Sequence, residues 1–425
     1  MKNSLFRKIL AVGATLALVS SFFVAVPVSA APGANAWDDI NMPKFVPNTE
    51  LGVMDVAPDG TIFLAVWTHP VPEDFDSEGD TPTNSDTDDG YWLVKYSEDG
   101  GFTWKNTNMP AVYDNDPWTK GRVDKVSAGA TPMAIKVSPM WPSNKNVYVA
   151  FSDGTIWRLP NAGLGTPAQM KGIVDAQSQI LGAEVDGKQQ TFLWDMDIWA
   201  DGTYNYLAVA TDLDIFVIKD QLLAEWVDYE LNVSPFVSFD GDADNPASYR
   251  IARAVRFAPD FATSELIWAV VADELDEPTE NPHWQHGTLR LTSADSPTRW
   301  GFVFEEIAFV PYDVDRDFEG DTRFVDIAFD PDYTSALPQL YVAIANDYPF
   351  DGLGNLADDF DKVGNLYAVS GEAKTSGPGD MDSGYIFFED QALGSVQVSG
   401  STIMVQNVWT GDVYTTNDRG NTWPE

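Results

Sequence analysis

The sequence predicts an all-β protein built from repeated sheets, and three observations lead to this class. Six times along the chain an apolar strand ends near a tight turn and is followed by a second strand rich in Val, Ala and aromatic residues. In two of these units a third strand ends on the same eight-residue turn. The chain contains 15 Trp, 15 Tyr and 24 Phe but no Cys, so burial or metal ions must stabilise it without disulfides. Long repeats of this kind predict a single β-propeller of six blades, with seven as the alternative.

The first 30 residues predict a signal peptide. A basic start with Lys2, Arg7 and Lys8 precedes a long apolar run that ends on small residues at Ala30. An uncleaved membrane anchor is the alternative. No later apolar run is long enough to span a bilayer, so we expect residues 31–425 to form one secreted or cell-surface domain without a membrane span.

The chain is strongly acidic. Its formal charge is −40, and removing the first 30 residues, which hold three basic and no acidic side chains, makes it −43. This charge excludes nucleic acid and anionic membranes as partners. It favours multivalent cations or a salty environment, so a calcium-rich surface layer and a halophilic source both stay open. The expected partners are an extracellular glycan or protein, or copies of the chain in a surface assembly.

The six units share a first and a second strand separated by a short turn. These strand pairs are 53–59 with 61–66, 133–139 with 146–151, 195–201 with 206–210, 255–260 with 266–271, 326–332 with 340–344, and 395–400 with 402–406. The predicted blades therefore cover roughly 50–110, 131–180, 190–232, 250–310, 322–390 and 393–425.

Two turns fit the pattern S/T-x-D-x-G-x-T-W. Their matching residues are Ser97, Asp99, Gly101, Thr103 and Trp104 in the first, and Thr416, Asp418, Gly420, Thr422 and Trp423 in the second. A worn copy at 293–300 keeps the Asp and the Trp. In such a hairpin the Asp accepts hydrogen bonds from the turn backbone, the Gly adopts a conformation that other residues resist, and the Trp packs into the blade.

These turns resemble the Asp box, or BNR repeat, of sialidase-like β-propellers. The resemblance covers nearly all of residues 31–425 at the level of repeats. It implies that the Asp-box residues lie on outer hairpins, away from an active site, and are structural. Because the family includes sialidases, glucanases, sorting receptors and many other secreted proteins, the resemblance implies a fold and leaves the function open.

A second short motif predicts how the ring closes. The pattern W-x-x-x-N-M-P occurs at 104–110, where the outer strand of the first blade begins, and again at 37–43. The last unit stops at Trp423, just where its own outer strand would begin. We therefore expect 37–43 to supply the outer strand of the last blade, to tie the two termini together and to remove exposed sheet edges. The alternative is a truncated chain with further repeats beyond residue 425.

The first strands of the six units have two different faces. One face is apolar in all six units, with Met54 and Val56 in the first, and is predicted to be blade core. The other face carries Asp55, Lys136, Asp197, Arg256, Ala328 and Gln397, with Asp195 and Asp326 two positions earlier. We expect the charged members of this row, Asp55, Lys136, Asp195, Asp197, Arg256 and Asp326, to line the central channel. Mutual neutralisation of their charges is the first interpretation and a ligand site is the second.

Catalytic groups are hard to find. Sialidases use three arginines, a Tyr-Glu pair and an acidic Asp, and the resemblance would place Arg250, Arg253, Arg290 and Arg323 among the candidates. Their spacing does not match that family, and the sequence shows no nucleophilic triad or phosphate loop. We therefore expect a non-catalytic binding or scaffold propeller, with a secreted glycoside hydrolase of sialidase-like type as the alternative.

Three acidic loops alternate carboxylates in a way that suits a hard cation. The predicted calcium ligands are Asp74, Asp76 and Glu78; Asp240, Asp242 and Asp244; and Asp313, Asp315 and Asp317. None of these loops is a full EF-hand, and a solvated acidic loop is the alternative. The pair His283 and His286 is expected to lie on the surface, with metal binding as the alternative.

Overall fold

The structure is a computed structural model that describes much of the region from residue 50 to residue 423. The described residues are 50–68, 91–110, 112–113, 131–141, 143–173, 184–185, 188–189, 193–211, 214–229, 250–274, 283–293, 296–304, 309–312, 322–346, 364–372, 377–378, 380–385, 393–407 and 412–423. Strands dominate them, as predicted, and one four-residue helix, α1 (Phe261–Ser264), follows the fourth inner strand. The predicted signal peptide, the segment 37–43 and all three acidic loops lie outside the described residues. No helix among the described residues is long and apolar enough to cross a membrane.

The strands form successive antiparallel sheets, here numbered 1 to 6. Sheet 1 has β1 (Glu50–Val56), β2 (Ile62–Thr68), β3 (Tyr91–Ser97), β4 (Lys105–Asn106) and β5 (Val112–Tyr113). Sheet 2 has β6 (Pro132–Val137), β7 (Val147–Phe151), β8 (Ile156–Leu159) and β9 (Ala168–Gln169). A separate hairpin pairs β10 (Glu184–Val185) with β11 (Lys188–Gln189). Sheet 3 has β12 (Leu193–Ala200), β13 (Asn205–Thr211), β14 (Ile215–Lys219) and β15 (Val227–Asp228).

The second half of the chain continues the same pattern. Sheet 4 has β16 (Arg250–Phe257), β17 (Leu266–Glu274), β18 (His283–Ser293), β19 (Ser296–Phe304) and β20 (Phe309–Tyr312), with β24 (Gly377–Pro378) added in parallel to β19. Sheet 5 has β21 (Thr322–Phe329), β22 (Gln339–Asn346), β23 (Gly364–Glu372) and β25 (Asp380–Tyr385). Sheet 6 has β26 (Leu393–Ser399), β27 (Thr402–Asn407) and β28 (Val413–Thr416). Five sheets thus have four or more strands and are arranged as propeller blades, while the sixth has three.

The first strand of every sheet is its innermost strand and carries an irregularity at nearly the same place. The register shifts between Leu51 and Met54 in β1, and corresponding shifts occur at 132–134, 193–195, 252–254, 322–324 and 393–395. A β-bulge bends its strand and increases the local twist, which suits strands that must converge on an axis. The bulge therefore repeats six times even where the sequence of the repeat has diverged.

Neighbouring sheets pack face to face, with their innermost strands in contact in chain order from β1 to β26. One apolar cluster lies between each successive pair. Representative members, from sheets 1 and 2 to sheets 5 and 6, are Phe63 with Val149, Tyr148 with Met196, Ile215 with Phe257, Trp268 with Val342, and Leu366 with Val396. Because both faces of a blade are covered, the second strands are continuous apolar runs, as in the fully buried β7.

The first sheet departs from this rule on one face. Met54 is 64% exposed and Val56 is 49% exposed, although the equivalent side chains of sheets 2 to 6 pack against the preceding sheet. The prediction that Met54 and Val56 belong to a blade core is therefore wrong for the described part of the chain. The physical reason is that no other described sheet covers this face of sheet 1.

Candidate functional site

The predicted row of charged residues lies on the innermost strands, and its side chains are directed at the next sheet. Asp55 is on β1, Lys136 on β6, Asp197 on β12 and Arg256 on β16. The strand alternation that buries the apolar face against the preceding sheet turns these side chains the opposite way. The row therefore lies between innermost strands.

The carboxylates of this row bind backbone N–H groups across sheet boundaries. Asp55 Oδ2 accepts a hydrogen bond from Val137 N at 2.7 Å, and Asp197 Oδ2 accepts one from Phe257 N at 2.8 Å. The two bonds are equivalent: each acceptor lies three residues before the turn that ends its strand, at Pro58 or Ala200, and each donor lies two residues before the corresponding turn of the next sheet, at Pro139 or Pro259. Each bond satisfies an inner-strand amide that no strand pairs with on that side.

Asp195 and Asp326, which lie two positions earlier on their strands than the row itself, form the same kind of bond. Asp195 Oδ2 accepts from Val255 N at 3.0 Å, and Asp326 Oδ2 accepts from Val396 N at 3.1 Å. Asp195 directly follows the bulge of β12, which gives it this orientation. Three of the five boundaries between described sheets thus carry a carboxylate bound to a backbone N–H of the next sheet. A fourth, between sheets 4 and 5, carries the contact of Asp326 with Arg256 of the preceding sheet.

Arg256 links two of these carboxylates. Its Nη1 contacts Asp195 Oδ2 and its Nη2 contacts Asp326 Oδ1, so one guanidinium joins sheets 3, 4 and 5. The three side chains are only 12 to 14% exposed. Burial raises the pKa of Asp195 above its ordinary value despite the opposing charge of Arg256. Burial also disfavours the charged guanidinium, but the two carboxylates outweigh it and raise the pKa of Arg256. The arginine is therefore a fixed cation in this cluster.

Lys136, on the innermost strand of sheet 2, contacts its carboxylate less closely than Arg256 does. Its Nζ lies 4.0 Å from Asp197 Oδ1, at the limit of an ion pair. Burial raises the pKa of the Asp55 carboxyl, while Lys136 and the N–H groups of Val137 and Val56 lower it. Lys136 cannot accept an amide hydrogen bond, so the boundary between sheets 2 and 3 lacks the carboxylate bond found at its neighbours.

A buried polar network occupies that boundary instead. Ser138 Oγ lies 2.8 Å from Asn205 Oδ1, Asn205 Nδ2 donates to the Tyr148 hydroxyl at 2.8 Å, and that hydroxyl donates to Asp220 Oδ2 at 2.5 Å. Arg158 binds the same Asp220 at 2.8 Å. Burial raises the pKa of Tyr148, so it stays a neutral donor. Sequence reasoning missed this network because its members are far apart in the chain and share no motif.

The two predicted Asp-box turns adopt one hydrogen-bond pattern. Asp99 Oδ1 accepts from Thr103 N at 2.8 Å and Oδ2 from Thr103 Oγ1 at 2.6 Å. Asp418 makes the same pair of bonds to Thr422, at 2.9 and 2.6 Å. Ser97 and Thr416 donate to their aspartates at 2.8 and 2.6 Å, and the Trp104 indole donates to the Gly101 carbonyl at 2.9 Å.

These bonds hold both aspartates ionised. The hydrogen bond from the Thr103 hydroxyl is the main cause that lowers the pKa of Asp99 to about 2, and that from the Thr416 hydroxyl does the same for Asp418. Gly101 and Gly420 have φ of 93° and 84°, which favours glycine at this position. Both turns follow the third strand of their sheet, far from the innermost strands. The geometry is that of a structural turn.

The remaining predicted site residues are brought together only in part. Arg253 is buried on β16, and its guanidinium carbon lies 3.8 Å from the centre of the Trp194 ring. Arg250, Arg290, Arg323, His283 and His286 lie on described strands, but their side chains, like all nine predicted calcium ligands, are outside the described part. No group of three or more metal-ligating side chains occurs among the described residues.

Taken together, the sheet arrangement and the inner-strand bonds define this chain as a β-propeller protein. No protein-family model matches the sequence, and no curated protein matches it. Solved structures of similar chain path include a putative 6-phosphogluconolactonase from Bacteroides uniformis, with 12% identity, a TM-score of 0.43, and coverage of 88% of this chain and 82% of that one.

Two further structures are similar at the same level. An α-L-arabinofuranosidase from Fusarium graminearum, in complex with an iminosugar inhibitor, has 12% identity and a TM-score of 0.40, covering 86% of this chain and 91% of that one. The β-propeller domain of Nup133 from Vanderwaltozyma polyspora has 8% identity and a TM-score of 0.37, covering 76% and 89%. Such low values concern the chain path alone.

Proposed function

We propose that this protein is a non-catalytic binding or scaffold propeller that acts outside the cell. The observation that carries the proposal is the use of the inner-strand carboxylates. Asp55, Asp195, Asp197 and Asp326 all bind the backbone of the next sheet, and two of them also share Arg256. A catalytic carboxylate must be free to exchange a proton with a substrate, whereas these are occupied by the frame of the protein.

The proposal includes a ring of six blades of the Asp-box, sialidase-like type. Three features support it: six sheets with an equivalent inner-strand bulge, two turns with matching Asp hydrogen bonds, and a last sheet with three strands where its predecessors have four or more. In this ring, residues 37–43 supply the fourth strand of sheet 6.

The place of action follows from the sequence. A basic and then apolar start to the chain, and a formal charge of −43 once residues 1–30 are removed, support a secreted or cell-surface protein. The partner is an extracellular glycan or protein, or further copies of this chain. Calcium at one or more of the loops around Asp74, Asp240 and Asp313 would lower the charge repulsion between such copies.

The proposal is tested by assaying purified protein on fluorogenic sialosides and glucan oligosaccharides. We expect no turnover above a heat-inactivated control. Turnover that disappears in Arg250→Ala, while the folded melting profile is retained, would establish the glycoside hydrolase alternative in place of the binding role.

The surface-assembly version needs a separate experiment. Calcium is expected to raise the melting temperature and to produce ordered assemblies in light scattering and electron microscopy. Melting temperatures that are the same in calcium and in chelator would contradict the calcium sites, and monomers under both conditions would contradict self-assembly.

A further inference from the structure

Two sheet faces remain uncovered by any described sheet, and together they form what is called here the seam. On sheet 1 it contains Met54 and Val56, which are 64% and 49% exposed. On sheet 6 it contains Met404 and Val413, which are 38% and 37% exposed and alternate with side chains that pack on sheet 5. Apolar side chains in the same positions of the other sheets are buried between blades. Each of the two faces is therefore one half of an interface between blades that no described sheet completes.

The outer end of sheet 1 shows how one blade is fixed to the next. Asn108 donates its backbone N–H to the Gly163 carbonyl at 2.7 Å, and its side-chain amide donates to the carbonyls of Leu164 at 2.5 Å and Gly165 at 3.3 Å. Met109, the next residue, is 5% exposed and belongs to the cluster between sheets 1 and 2. The Asn-Met pair thus docks on the turn between the third and fourth strands of sheet 2.

The same relation recurs between sheets 2 and 3. Lys171, just after the outer strand of sheet 2, accepts a hydrogen bond from the Trp226 indole at 2.7 Å through its carbonyl and pairs with Glu225 at 2.7 Å. Trp226 and Glu225 lie in the turn between the third and fourth strands of sheet 3. In both cases the chain that leaves an outer strand binds the third-to-fourth turn of the following sheet.

The corresponding turn of sheet 1 matches the docking turn of sheet 2. Gly163 is buried with φ of 78° and precedes the exposed Leu164, while Gly101 is buried with φ of 93° and precedes the exposed Phe102. Arg158 in β8 and Tyr96 in β3 are equivalent residues of their sheets, because each pairs with the second strand on one side and the fourth strand on the other. Each glycine lies five residues after this equivalent residue. By this correspondence, the carbonyls of 101–103 take the place of those of 163–165.

We infer that Asn41 and Met42 dock on the turn 101–103 of sheet 1, as Asn108 and Met109 dock on 163–165 of sheet 2. The inference rests on the proposed six-bladed ring and adds the receptor site for its closing strand. Both Asn-Met pairs occur in the shared W-x-x-x-N-M-P motif. The docked segment brings sheet 6 against sheet 1, so Met54 and Val56 become buried.

The length of the connecting chain allows this arrangement. From Pro43 to Glu50 there are seven residues, which span up to about 23 Å when extended. The path from the outer strand of sheet 6 to β1 of sheet 1 crosses three strand spacings of about 4.8 Å and one sheet spacing of about 10 Å, or roughly 17 Å in a straight line. The segment can therefore leave the outer edge of sheet 6 and still reach β1.

The docking position is tested by a disulfide in the chain that starts at Ala31. Because the native sequence has no Cys, the double variant Asn41→Cys, Phe102→Cys contains only the two introduced thiols. We expect an intramolecular disulfide to form in the folded monomer, measured by mass spectrometry of peptides under non-reducing conditions. The matched control, Asn41→Cys with Leu164→Cys, places the second thiol on the equivalent exposed turn of sheet 2, where Asn108 already docks, and should stay reduced.

A labelling experiment covers the case in which the disulfide variant does not fold. Met54→Cys should react slowly with a maleimide in the chain from Ala31 and at least tenfold faster after deletion of 37–43. Equal rates in the two chains, or equal disulfide yields at Phe102 and Leu164, would overturn the inference. Slow labelling without the 41–102 disulfide would retain the closed ring and overturn only this docking position. None of these readouts depends on whether the protein cleaves glycans.

Discussion

Replacing Arg256 by methionine removes the cation that lies between the carboxylates of Asp195 and Asp326. Methionine fills much of the space of the arginine stem, so the change mainly removes charge and hydrogen bonds. The two carboxylates keep their bonds to Val255 N and Val396 N but lose their opposite charge in a site where they are 13% and 12% exposed. The variant therefore leaves two negative charges at the junction of three sheets without the cation that they share.

The size of the effect follows from this geometry. Removing one partner of a buried ion pair costs about 3–5 kcal/mol, and the retained backbone hydrogen bonds favour the lower part of that range, about 3–4 kcal/mol. A loss of that size is a large fraction of the roughly 5–15 kcal/mol by which a typical domain is stable. Without the arginine, the pKa of Asp195 rises further above its ordinary value. Because the folded variant then binds protons more tightly than the unfolded chain, its deficit should shrink as the pH falls from 7 to about 4.5.

Urea unfolding followed by tryptophan fluorescence, at pH 7 and at pH 4.5, measures both effects. Lys105→Met is the matched control, since its ion pair with Glu98 is more than half exposed and its loss should leave the midpoint almost unchanged. A loss below about 1 kcal/mol for Arg256→Met, or a loss that is the same at both pH values, would refute the view that this network stabilises the ring.

Substitutions at three other sites test the remaining contacts. Asp55→Asn should gain stability relative to the native protein as the pH rises from 4 to 7, because burial raises the pKa of Asp55 and its ionisation opposes folding. Asp55→Ala removes the acceptor for Val137 N and should lose about 1–3 kcal/mol of stability, so equal urea midpoints for the two variants would contradict this role. Asp99, with a pKa of about 2, stabilises the fold above pH 4 and loses this contribution towards pH 2, so Asp99→Asn should flatten the acid limb of melting curves, whereas an Asp99 carboxyl that titrates near 4 by NMR would refute it. Gly163→Ala should melt lower than Gly202→Ala, because both have positive φ but only the first places Cβ 2.7 Å from Thr107; equal melting temperatures would contradict the tight docking of the outer strand.

Much of the fold could be predicted from the sequence, because its signals are local. The second strands are apolar runs that must be covered on both faces, and the turns at Asp99 and Asp418 are made by side chains two to four residues apart. The alternation that separates the apolar face from the charged row also follows from strand geometry. The one error on this face, at Met54 and Val56, arose because burial depends on a neighbouring sheet and not on the strand itself.

The site was less accessible from the sequence. The row from Asp55 to Asp326 could be found by alignment, but its partners could not, since each carboxylate binds a backbone amide 60 to 82 residues away. The Tyr148 network joins residues with no shared motif. The bulge of the innermost strands occurs at different residue types in the six sheets, so no sequence pattern indicates it.

The sequence by itself therefore determined that this chain forms repeated antiparallel sheets with two structural Asp turns, because strand alternation and turn chemistry act over a few residues. Only the tertiary structure decided what the inner-strand charges do. A row of aspartates is equally compatible with a ligand site or with a frame, and the choice depends on which groups the neighbouring sheet presents to it. Here that sheet presents backbone N–H groups and one arginine, so the charges fasten the sheets to one another.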